Sequence, residues 1–520
     1  MAKPDVRLKF YSGTADGPYI KASCALLSYR DSGAVVNIII DVGLNASNAE
    51  EVMSANLALV ANINAKHIDA IVITHAHCDH AASVPAIVSR GFGGRIFCTE
   101  HTGEILHQVF ADSAKIQESI CRMRNKSKAK NKQLVKVKSF KLDNDQRFLG
   151  SYDRVKNKYK AKRPELELPL YDQNDVLASC DLISPKVYGE WFKLCHKNIH
   201  IKFYQAGHVL GSAICVIRIQ VGRDEFMYIG FGGDLGRDSI LLNAPKLVTE
   251  KLDYWVSEST YGDRSHPSLA DESEFMFDVL RQVMRVGLGR VIIPALALHR
   301  SQEMIVTLVK AMQSGEIPRM PIYLHSKLAA GITAIYSKDW ERLNKKAGLD
   351  FNPFLTSSLR VLNSDQDAKA LMRSKEPMIL VSSSGMCNAG PVRSYLRHWL
   401  GDAKTIVFLV SYMAENTLGK RLQDGSRTVH IDKEIVEVRA RICSFKAFSG
   451  HADSQALTNY AAALVNRHSE RVMRIFINHG TSLSAKYLKE KMIEAKIAKD
   501  QDITIPSLGA EYALNIEYKN

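Results

Sequence analysis

Four side chains that commonly bind zinc lie within six positions of the sequence, directly after an apolar segment. His75, His77, Asp79 and His80 follow residues 68–73, which predict a buried strand. Imidazole nitrogens and carboxylate oxygens are ligands that Zn²⁺ prefers. Side chains alternate along a strand, so His75 and His77 can face one metal while Asp79 and His80, on the following turn, reach a second. Surface or core histidines are the alternative, but this density of ligands indicates a metal site.

Two further residues with metal-site chemistry follow downstream strands. His208 lies in the sequence Gly-His-Val-Leu-Gly-Ser, where glycines allow a close approach of the backbone. Asp234 follows the strand 226–231 and two glycines, and a carboxylate there could bridge two cations. Each signal is weak alone, but their order after the first motif makes the set specific. Upstream of that motif, the acidic residue Asp41 follows the predicted strand 35–40.

Strands alternate with helices in the elements that must position these residues. This alternation is clear in the first 110 residues, and strands at 200–204 and 213–221 flank the His208 loop. A βαβ-like stretch from about 265 to 426 predicts a separate α/β domain. A last strand is predicted at 474–477. The chain of 520 residues is too long for one ordinary core, which also favours two domains.

The motifs together resemble those of the β-CASP branch of metallo-β-lactamase-fold nucleases, the group of RNA 3′-end processing endonucleases and their prokaryotic relatives. The resemblance spans nearly the whole chain and is carried by segments 74–80, 207–212, 232–234, 258–264, 293–294, 300–303, 383–386, 448–453 and 478–480. It implies an α/β fold, a metallo-β-lactamase αββα sandwich with an inserted α/β β-CASP domain. The implied domains are residues 1–262 and 427–520, the two parts of the sandwich, and residues 263–426, the β-CASP domain.

The resemblance also implies two Zn²⁺ per chain and a set of protein ligands for each ion. The first zinc would be held by His75, His77 and His208, the second by Asp79, His80 and His479, and both by the bridging Asp234. Asp41 would accept a hydrogen bond from a ligand histidine and orient it. Metal ligands would then come from both ends of the polypeptide.

A pair of zinc ions lowers the pKa of a shared water, so that a metal-bridging hydroxide can attack a phosphodiester. By the resemblance, His451 protonates the leaving oxygen, Glu258 favours its imidazolium form, and Asp79 belongs to the catalytic set. The expected products carry 5′-phosphate and 3′-hydroxyl ends. The alternative for His451 is a structural role at a helix N-terminus, since Asp453 and Ser454 resemble a cap.

Substrate contacts are expected from the segment after the strand 378–382. Ser383, Ser384 and Gly385 resemble the family's loop that contacts a substrate phosphate. Arg300, which opens a helix, is another candidate, and a structural salt bridge is its alternative.

Some positions depart from the family's pattern. The family commonly has glycine where His299 stands and aspartate where His325 stands. Each of these histidines could contact substrate or fill space. No departure removes a predicted ligand, so it is the identity of the substrate, and not the chemistry, that they leave open.

Charge is concentrated in one segment. The chain has a net charge of +14, and residues 122–163 contain sixteen Lys and Arg against three Asp, a local excess of +13. A concentrated positive field suits a polyanion, and a solvated loop is the alternative. Nine scattered cysteines without a CxxC pair argue against a disulfide framework. The chain has no membrane-length apolar run and no signal-like N-terminus, which predicts a cytoplasmic protein.

These features predict a zinc-dependent ribonuclease in RNA processing or decay, with single-stranded RNA as its partner. The first alternative is a β-CASP DNA nuclease of the DNA-repair type, a group that generally lacks the last histidine ligand, present here as His479. The others are a small-molecule hydrolase of the metallo-β-lactamase fold and a scaffold without activity. The sequence distinguishes neither an endonuclease from a 5′→3′ exonuclease nor a monomer from a homodimer.

Overall fold

A computed structural model describes residues 3–12, 22–45, 50–131, 167–285, 289–343, 348–467 and 470–519. Residues 132–163 of the predicted basic segment therefore lie outside the described part of the chain. All nine cysteines fall within the described part, and each is a free thiol, as the sequence predicts. None of the described helices is both long enough and apolar enough to span a membrane.

Two seven-stranded sheets form the centre of the molecule. The first has the order β22-β1-β2-β3-β4-β5-β6, with strands β1 Asp5–Phe10, β2 Ala25–Asp31, β3 Ala34–Ile40, β4 Ala70–Val72, β5 Arg95–Thr99, β6 Ile183–Lys186 and β22 Glu511–Leu514. The second has the order β21-β20-β11-β10-β9-β8-β7, with strands β7 Phe192–Lys193, β8 Ile199–Gln205, β9 Ala213–Gln220, β10 Phe226–Phe231, β11 Tyr254–Ser257, β20 Arg474–Ile477 and β21 Ile503–Thr504. Strands from both ends of the chain therefore complete each sheet.

A third, six-stranded sheet has the order β14-β13-β15-β12-β16-β19, and all its strand pairs are parallel. Its strands are β12 Arg290–Pro294, β13 Ile322–His325, β14 Leu359–Val361, β15 Met378–Ser382, β16 Thr405–Leu409 and β19 Arg441–Ser444, and β17 Thr428–Ile431 pairs with β18 Glu434–Glu437 in a hairpin. Parallel strands need crossover connections, which helices supply here. This sheet is the βαβ-like unit that the sequence predicts.

Thirteen α-helices of the described residues cover the three sheets. They are α1 Glu50–Asn62, α2 Cys78–Ala81, α3 Val84–Val88, α4 Glu100–Asn131, α5 Gln173–Cys180, α6 Leu269–Arg285, α7 Arg300–Gln313, α8 Lys327–Lys338, α9 Asp365–Arg373, α10 Val392–Trp399, α11 Leu418–Gln423, α12 Ser454–Val465 and α13 Ser482–Glu494. Short 3₁₀ turns occupy Ala65–His67, Pro353–Leu355 and Asp500–Asp502.

Alternation along the strands explains how the layers pack. Leu27 of the first sheet and Ile217 of the second lie in one buried cluster between the two sheets. On the outer face of the second sheet, Trp255 packs with Leu457 of α12 and Leu488 of α13, while helix α4 covers the outer face of the first sheet. The result is the αββα sandwich that the resemblance implies, with the third sheet inserted between its two halves.

The hairpin and β19 belong with the third sheet. Strand β19 pairs in parallel with β16, and Val429 of the hairpin packs in the same buried cluster as Trp399 of α10. The chain therefore returns to the sandwich after Ser444, later than the predicted boundary at 426. The parallel pairing with β16 keeps this segment with the third sheet. Turn-forming residues near position 426 do not reveal such long-range pairing in the sequence. The domain limits themselves stay a prediction.

Gly43 lies where two backbone segments of the first half meet. The amides of Val42 and Leu44 donate to the carbonyl oxygens of His80 and Cys78 at 2.7 and 2.8 Å. A Cβ atom on Gly43 would lie 1.8 Å from the carbonyl oxygen of Asp79. This close approach presses the segment that carries the predicted metal ligands against the end of β3.

Replacement of Gly43 by alanine should destabilise the protein and displace the ligand segment. Because the obstacle is backbone, we expect Gly43→Ala to lower the free energy of unfolding by about 2–3 kcal/mol and to reduce bound metal. Urea unfolding and metal analysis would measure both. Gly93→Ala is the matched control, since its Cβ would meet no atom within 4 Å, and we expect a change below about 0.5 kcal/mol. Equal stability of the two variants would contradict this account.

Candidate metal centre

All the residues that form the centre lie just beyond the carboxyl ends of strands in the two central sheets. Asp41 follows β3, His75 follows β4, His208 follows β8, Asp234 follows β10, and His479 follows β20. In open α/β sheets the carboxyl ends of parallel strands meet at one edge, where ligands usually bind. Two groups of side chains form there, each with ligand atoms within 4.8 Å of one another: His75, His77, His208 and Asp234, and Asp79, His80 and His479.

The first group has three imidazoles and one carboxylate around a common point. Nδ1 of His77 lies 3.1 Å from Nε2 of His75 and 3.1 Å from Nε2 of His208. Both Nε2 atoms lie 3.4 Å from Oδ2 of Asp234. A proton on Nδ1 of His77 can serve only one of its two contacts, whereas a cation accepts lone pairs from all three rings. The donor set therefore fits a metal ion.

The second group uses the other oxygen of Asp234. Nε2 of His80 and Nε2 of His479 lie 3.1 and 3.5 Å from Oδ1 of Asp234, and Nε2 of His479 lies 3.8 Å from Oδ2 of Asp79. Oδ1 of Asp234 and Nε2 of His80 are buried and have no hydrogen-bond partner within the described residues. Unsatisfied buried polar atoms are rare in proteins, and a cation between them removes the deficit. Asp234 thus offers one oxygen to each group.

The outer nitrogens of the histidines are held by neighbouring groups. Nδ1 of His80 lies 2.7 Å from Oδ2 of Asp41, which also accepts hydrogen bonds from the amide and hydroxyl of Thr74 through its two oxygens. Nδ1 of His208 lies 3.1 Å from the carbonyl oxygen of Gly450. Such partners fix the orientation of a ligand ring and direct its other nitrogen to the metal.

Burial and mutual proximity set the protonation of the centre. Burial, together with the neighbouring His75, lowers the pKa of His77 to about 3, so its ring is neutral at physiological pH. Burial would raise the pKa of Asp234, but the imidazoles of His80 and His479 outweigh it and hold that pKa well below its usual value. The pKa of His80 is raised despite burial, because Asp234 and Asp41 face the ring. Without a cation, His80 keeps a proton that metal binding would release.

The segment His75 to His80 is not a strand. The expectation that alternation along a strand brings His75 and His77 together is therefore wrong. Strand β4 ends at Val72, so His75 lies in a loop, His77 is the residue before α2, and Asp79 and His80 lie within that short helix. The amides of His80 and Ala81 donate to the carbonyl oxygen of His77. A tight helical turn, and not alternation along a strand, therefore separates the two ligand pairs.

Two residues of the centre adopt the left-handed backbone region. Asp41 has φ 58° and His479 has φ 49°. This conformation costs a non-glycine residue roughly 1 kcal/mol or more. Strain of this kind persists only where surrounding contacts determine the geometry, and it concentrates at functional sites.

A third group joins His451, Glu258 and Asp234. Nδ1 of His451 lies 3.1 Å from Oε2 of Glu258 and 3.9 Å from Oδ2 of Asp234. Burial lowers the pKa of His451, but the carboxylates of Glu258 and Asp234 outweigh it and raise that pKa to about 9. Glu258 is 1% exposed and accepts a hydrogen bond from the amide of Leu235 at 2.7 Å.

Helix α12 has its own cap. The side chain of Asp453 accepts a hydrogen bond from the amide of Ala456 at 2.9 Å. His451 is therefore not the capping residue, and its side chain, 20% exposed, lies against the metal ligands. The roles of His451 as a proton donor and as a structural residue near a helix N-terminus both stay predictions.

The predicted substrate residues lie at the carboxyl edge of the third sheet. Ser383, Ser384 and Gly385 follow β15, and within the described residues no hydrogen bond joins them to the ligand set. Arg300 begins α7 and forms a buried ion pair with Glu303, as its structural alternative requires. Arg300 nevertheless lies near the first ligand group, because a Cβ on Gly450 would lie 3.5 Å from Nη2 of Arg300 and 3.4 Å from Nδ1 of His208.

One link between the third sheet and the sandwich escaped the sequence interpretation. The hydroxyl of Tyr336, on α8, lies 2.9 Å from Nδ1 of His299 and accepts a hydrogen bond from the amide of Leu210 at 3.2 Å. Leu210 belongs to the loop of His208. His299 is buried at φ 70°, a conformation that favours the glycine common in the family. His325 instead pairs with Tyr395, at 2.8 Å between Nδ1 and the hydroxyl.

Three family models match separate parts of the chain. Residues 30–150 match the metallo-β-lactamase superfamily, residues 301–422 match the β-CASP domain, and residues 435–506 match the Zn-dependent metallo-hydrolase RNA specificity domain. The first covers His75 to His80, and the third covers His451 and His479. The superfamily and the ligand groups together indicate a divalent metal site.

Curated relatives are similar over most of the chain. Transcription termination factor FttA of Methanosarcina mazei is 27% identical over 492 residues, which cover 91% of this chain and 68% of that protein. Ribonuclease TTHA0252 of Thermus thermophilus is 26% identical over 420 residues, which cover 79% and 84%. FttA of a Lokiarchaeum is 26% identical over 501 residues, which cover 93% and 69%. Together, the three matched models, these relatives and the ligand groups support a nuclease of the β-CASP family with the metallo-β-lactamase fold.

Proposed function

We propose that the chain is a zinc-dependent ribonuclease that hydrolyses RNA phosphodiester bonds and leaves 5′-phosphate and 3′-hydroxyl ends. The observation that carries this proposal is the pair of ligand groups that share Asp234, beside the His451–Glu258 pair. A phosphodiester needs its negative charge neutralised, a water activated and its leaving oxygen protonated. The geometry supports a separate set of residues for each need.

We infer two zinc ions per chain, because each ligand group offers nitrogen and carboxylate donors, the pattern that zinc prefers. His75, His77 and His208 would hold one ion, and Asp79, His80 and His479 the other, with Asp234 between them. When bound, such a pair supplies Lewis acidity that activates a water and offsets phosphate charge. The protein's part is to fix the donors and to exclude competing protons.

His451 holds the proton for the leaving oxygen. The adjacent Glu258 carboxylate keeps the imidazole protonated, and the amide of Leu235 fixes the carboxylate. As the bond between phosphorus and the 3′ oxygen breaks, His451 gives its proton to that oxygen. Asp79, a carboxylate of the second ligand group, completes the proposed catalytic set.

RNA is the proposed substrate. One relative is named a ribonuclease, and the RNA specificity domain model covers residues 435–506, which contain His451 and His479. The basic segment 122–163 suits a phosphate backbone. Ser383, Ser384, Gly385 and Arg300 stay proposed phosphate contacts, and single-stranded RNA and a cytoplasmic setting stay predictions.

Matched oligonucleotides test the substrate. We expect a 5′-labelled single-stranded RNA to be cleaved and the DNA of the same sequence to be cleaved at least about tenfold more slowly. A chelator should abolish cleavage, and emission spectroscopy should give about two zinc ions per chain. Preferred cleavage of DNA would favour the DNA-repair alternative, and a zinc-free, inactive protein would favour the scaffold.

Removal of the proposed acid should separate metal binding from catalysis. We expect His451→Ala to keep its zinc and to lose about 10²–10⁴-fold in single-turnover cleavage rate, the usual contribution of a general acid. His430→Ala, which removes an exposed histidine of the β17–β18 hairpin, is the control and should cleave normally. Full activity of His451→Ala would remove His451 from the mechanism.

Asp41 is not one of the predicted ligands, but loss of its charge beside His80 should weaken zinc binding. Asp41→Asn keeps the shape of the side chain but cannot hold both His80 and Thr74 as a carboxylate does. We expect zinc affinity to fall about 10–100-fold in titrations against a chromogenic chelator. Asp69→Asn serves as control, because Asp69 accepts a hydrogen bond from the amide of Asn37 on an exposed edge. Unchanged affinity in Asp41→Asn would show that the carboxylate does not orient the ligand.

A further inference from the structure

Beside His451 lies a group of flat side chains that the proposed mechanism does not use. The ring centre of Tyr261 is 5.9 Å from that of His451 and 4.7 Å from that of His266. The guanidinium of Arg264 lies 5.6 Å from the centre of the Tyr261 ring. These side chains are here named the Tyr261 cluster: Tyr261, Arg264 and His266.

The cluster is fixed to the segment that carries the proposed acid. Nε2 of His266 lies 3.0 Å from the carbonyl oxygen of His451, and the amide of His266 donates to Oδ2 of Asp453. Tyr261 lies three residues after Glu258 in the sequence. The His451 segment and the Glu258 segment therefore both fix the position of the aromatic rings relative to His451.

The charge of the cluster favours a base over a phosphate. Nε and Nη2 of Arg264 bind the two oxygens of Asp263 at 2.8 and 2.7 Å. This paired carboxylate compensates the arginine and would repel a phosphate. A guanidinium plane and tyrosine rings nevertheless stack on any nucleobase, because every base has a π face. Half of the Arg264 side chain is exposed, which leaves it accessible.

The chemistry of the cut decides which nucleotide is involved. The proposed product ends require His451 to protonate the 3′ oxygen, so the nucleotide that carries this oxygen lies next to His451. Its base then extends toward the side chains around that residue. We propose that the Tyr261 cluster is a stacking subsite for the base of the nucleotide immediately upstream of the scissile phosphate. This inference rests on the proposed ribonuclease function.

Abasic substrates test the subsite. After the cleavage position on an unmodified RNA is mapped, two RNAs are made that lack one base, either immediately upstream or immediately downstream of that position. We expect removal of the upstream base to lower kcat/KM of the wild-type protein about tenfold or more, and removal of the downstream base to lower it much less. Equal losses at both positions, or no loss upstream, would overturn the proposal.

Variants assign the effect to the cluster. Tyr261→Ala should lose a similar factor on the unmodified RNA and become insensitive to the missing upstream base, whereas Tyr261→Phe should keep that sensitivity because its ring remains. Tyr518→Ala is the matched control, since Tyr518 is exposed and has a guanidinium, that of Arg471, 5.5 Å from its ring centre. It should retain wild-type rates and sensitivity.

The outcomes distinguish a failure of the proposed ribonuclease function from a failure of the stacking subsite. If the wild-type protein does not cleave unmodified RNA, the proposed ribonuclease function itself fails. If it cleaves but Tyr261→Ala loses the same factor on intact and upstream-abasic RNA, the stacking subsite fails while the function stands. Thermal unfolding of each variant confirms that it is folded before its rates are compared.

Discussion

The carboxylate of Asp234 is the interaction around which the molecule is organised. It is 2% exposed, and a buried, uncompensated carboxylate is costly. Four imidazoles of the ligand groups, from three separate chain segments, compensate it, two at each oxygen. Those segments can meet only if strands of both central sheets end at one edge. The fold meets this need to compensate the buried Asp234 carboxylate. Its two central sheets contain parallel strands, and segments from both ends of the polypeptide complete each sheet.

A second layer of contacts makes the arrangement rigid. Asp41 and the carbonyl of Gly450 hold the outer nitrogens of His80 and His208. Tyr336 ties the loop of His208 to a helix of the third sheet, so the inserted unit is also part of the support of the centre. The consequence is that substitutions in the third sheet can disturb metal binding without touching a ligand.

How much the sequence revealed depends on whether a contact is local. The ligands between His75 and His80 were predictable, because four donors occur within one short motif. The backbone that presents them was not, since a helical turn replaced the expected strand. Tyr336 also escaped prediction, because its partners lie 37 and 126 residues away and a single tyrosine in a helix has no distinguishing pattern. The pairing of β19 with β16 was not visible in the sequence for the same reason, as parallel pairing leaves no local signal.

The order of the chain has a consequence for the protein's own synthesis. His75, His208 and Asp234 emerge from the ribosome before the third sheet, whereas His451 and His479 follow it. A nascent chain that has produced the first six predicted ligands still lacks the last one, His479, and the proposed proton donor, His451. Neither the second ligand group nor the His451–Glu258 pair can therefore form until these late residues have been synthesised.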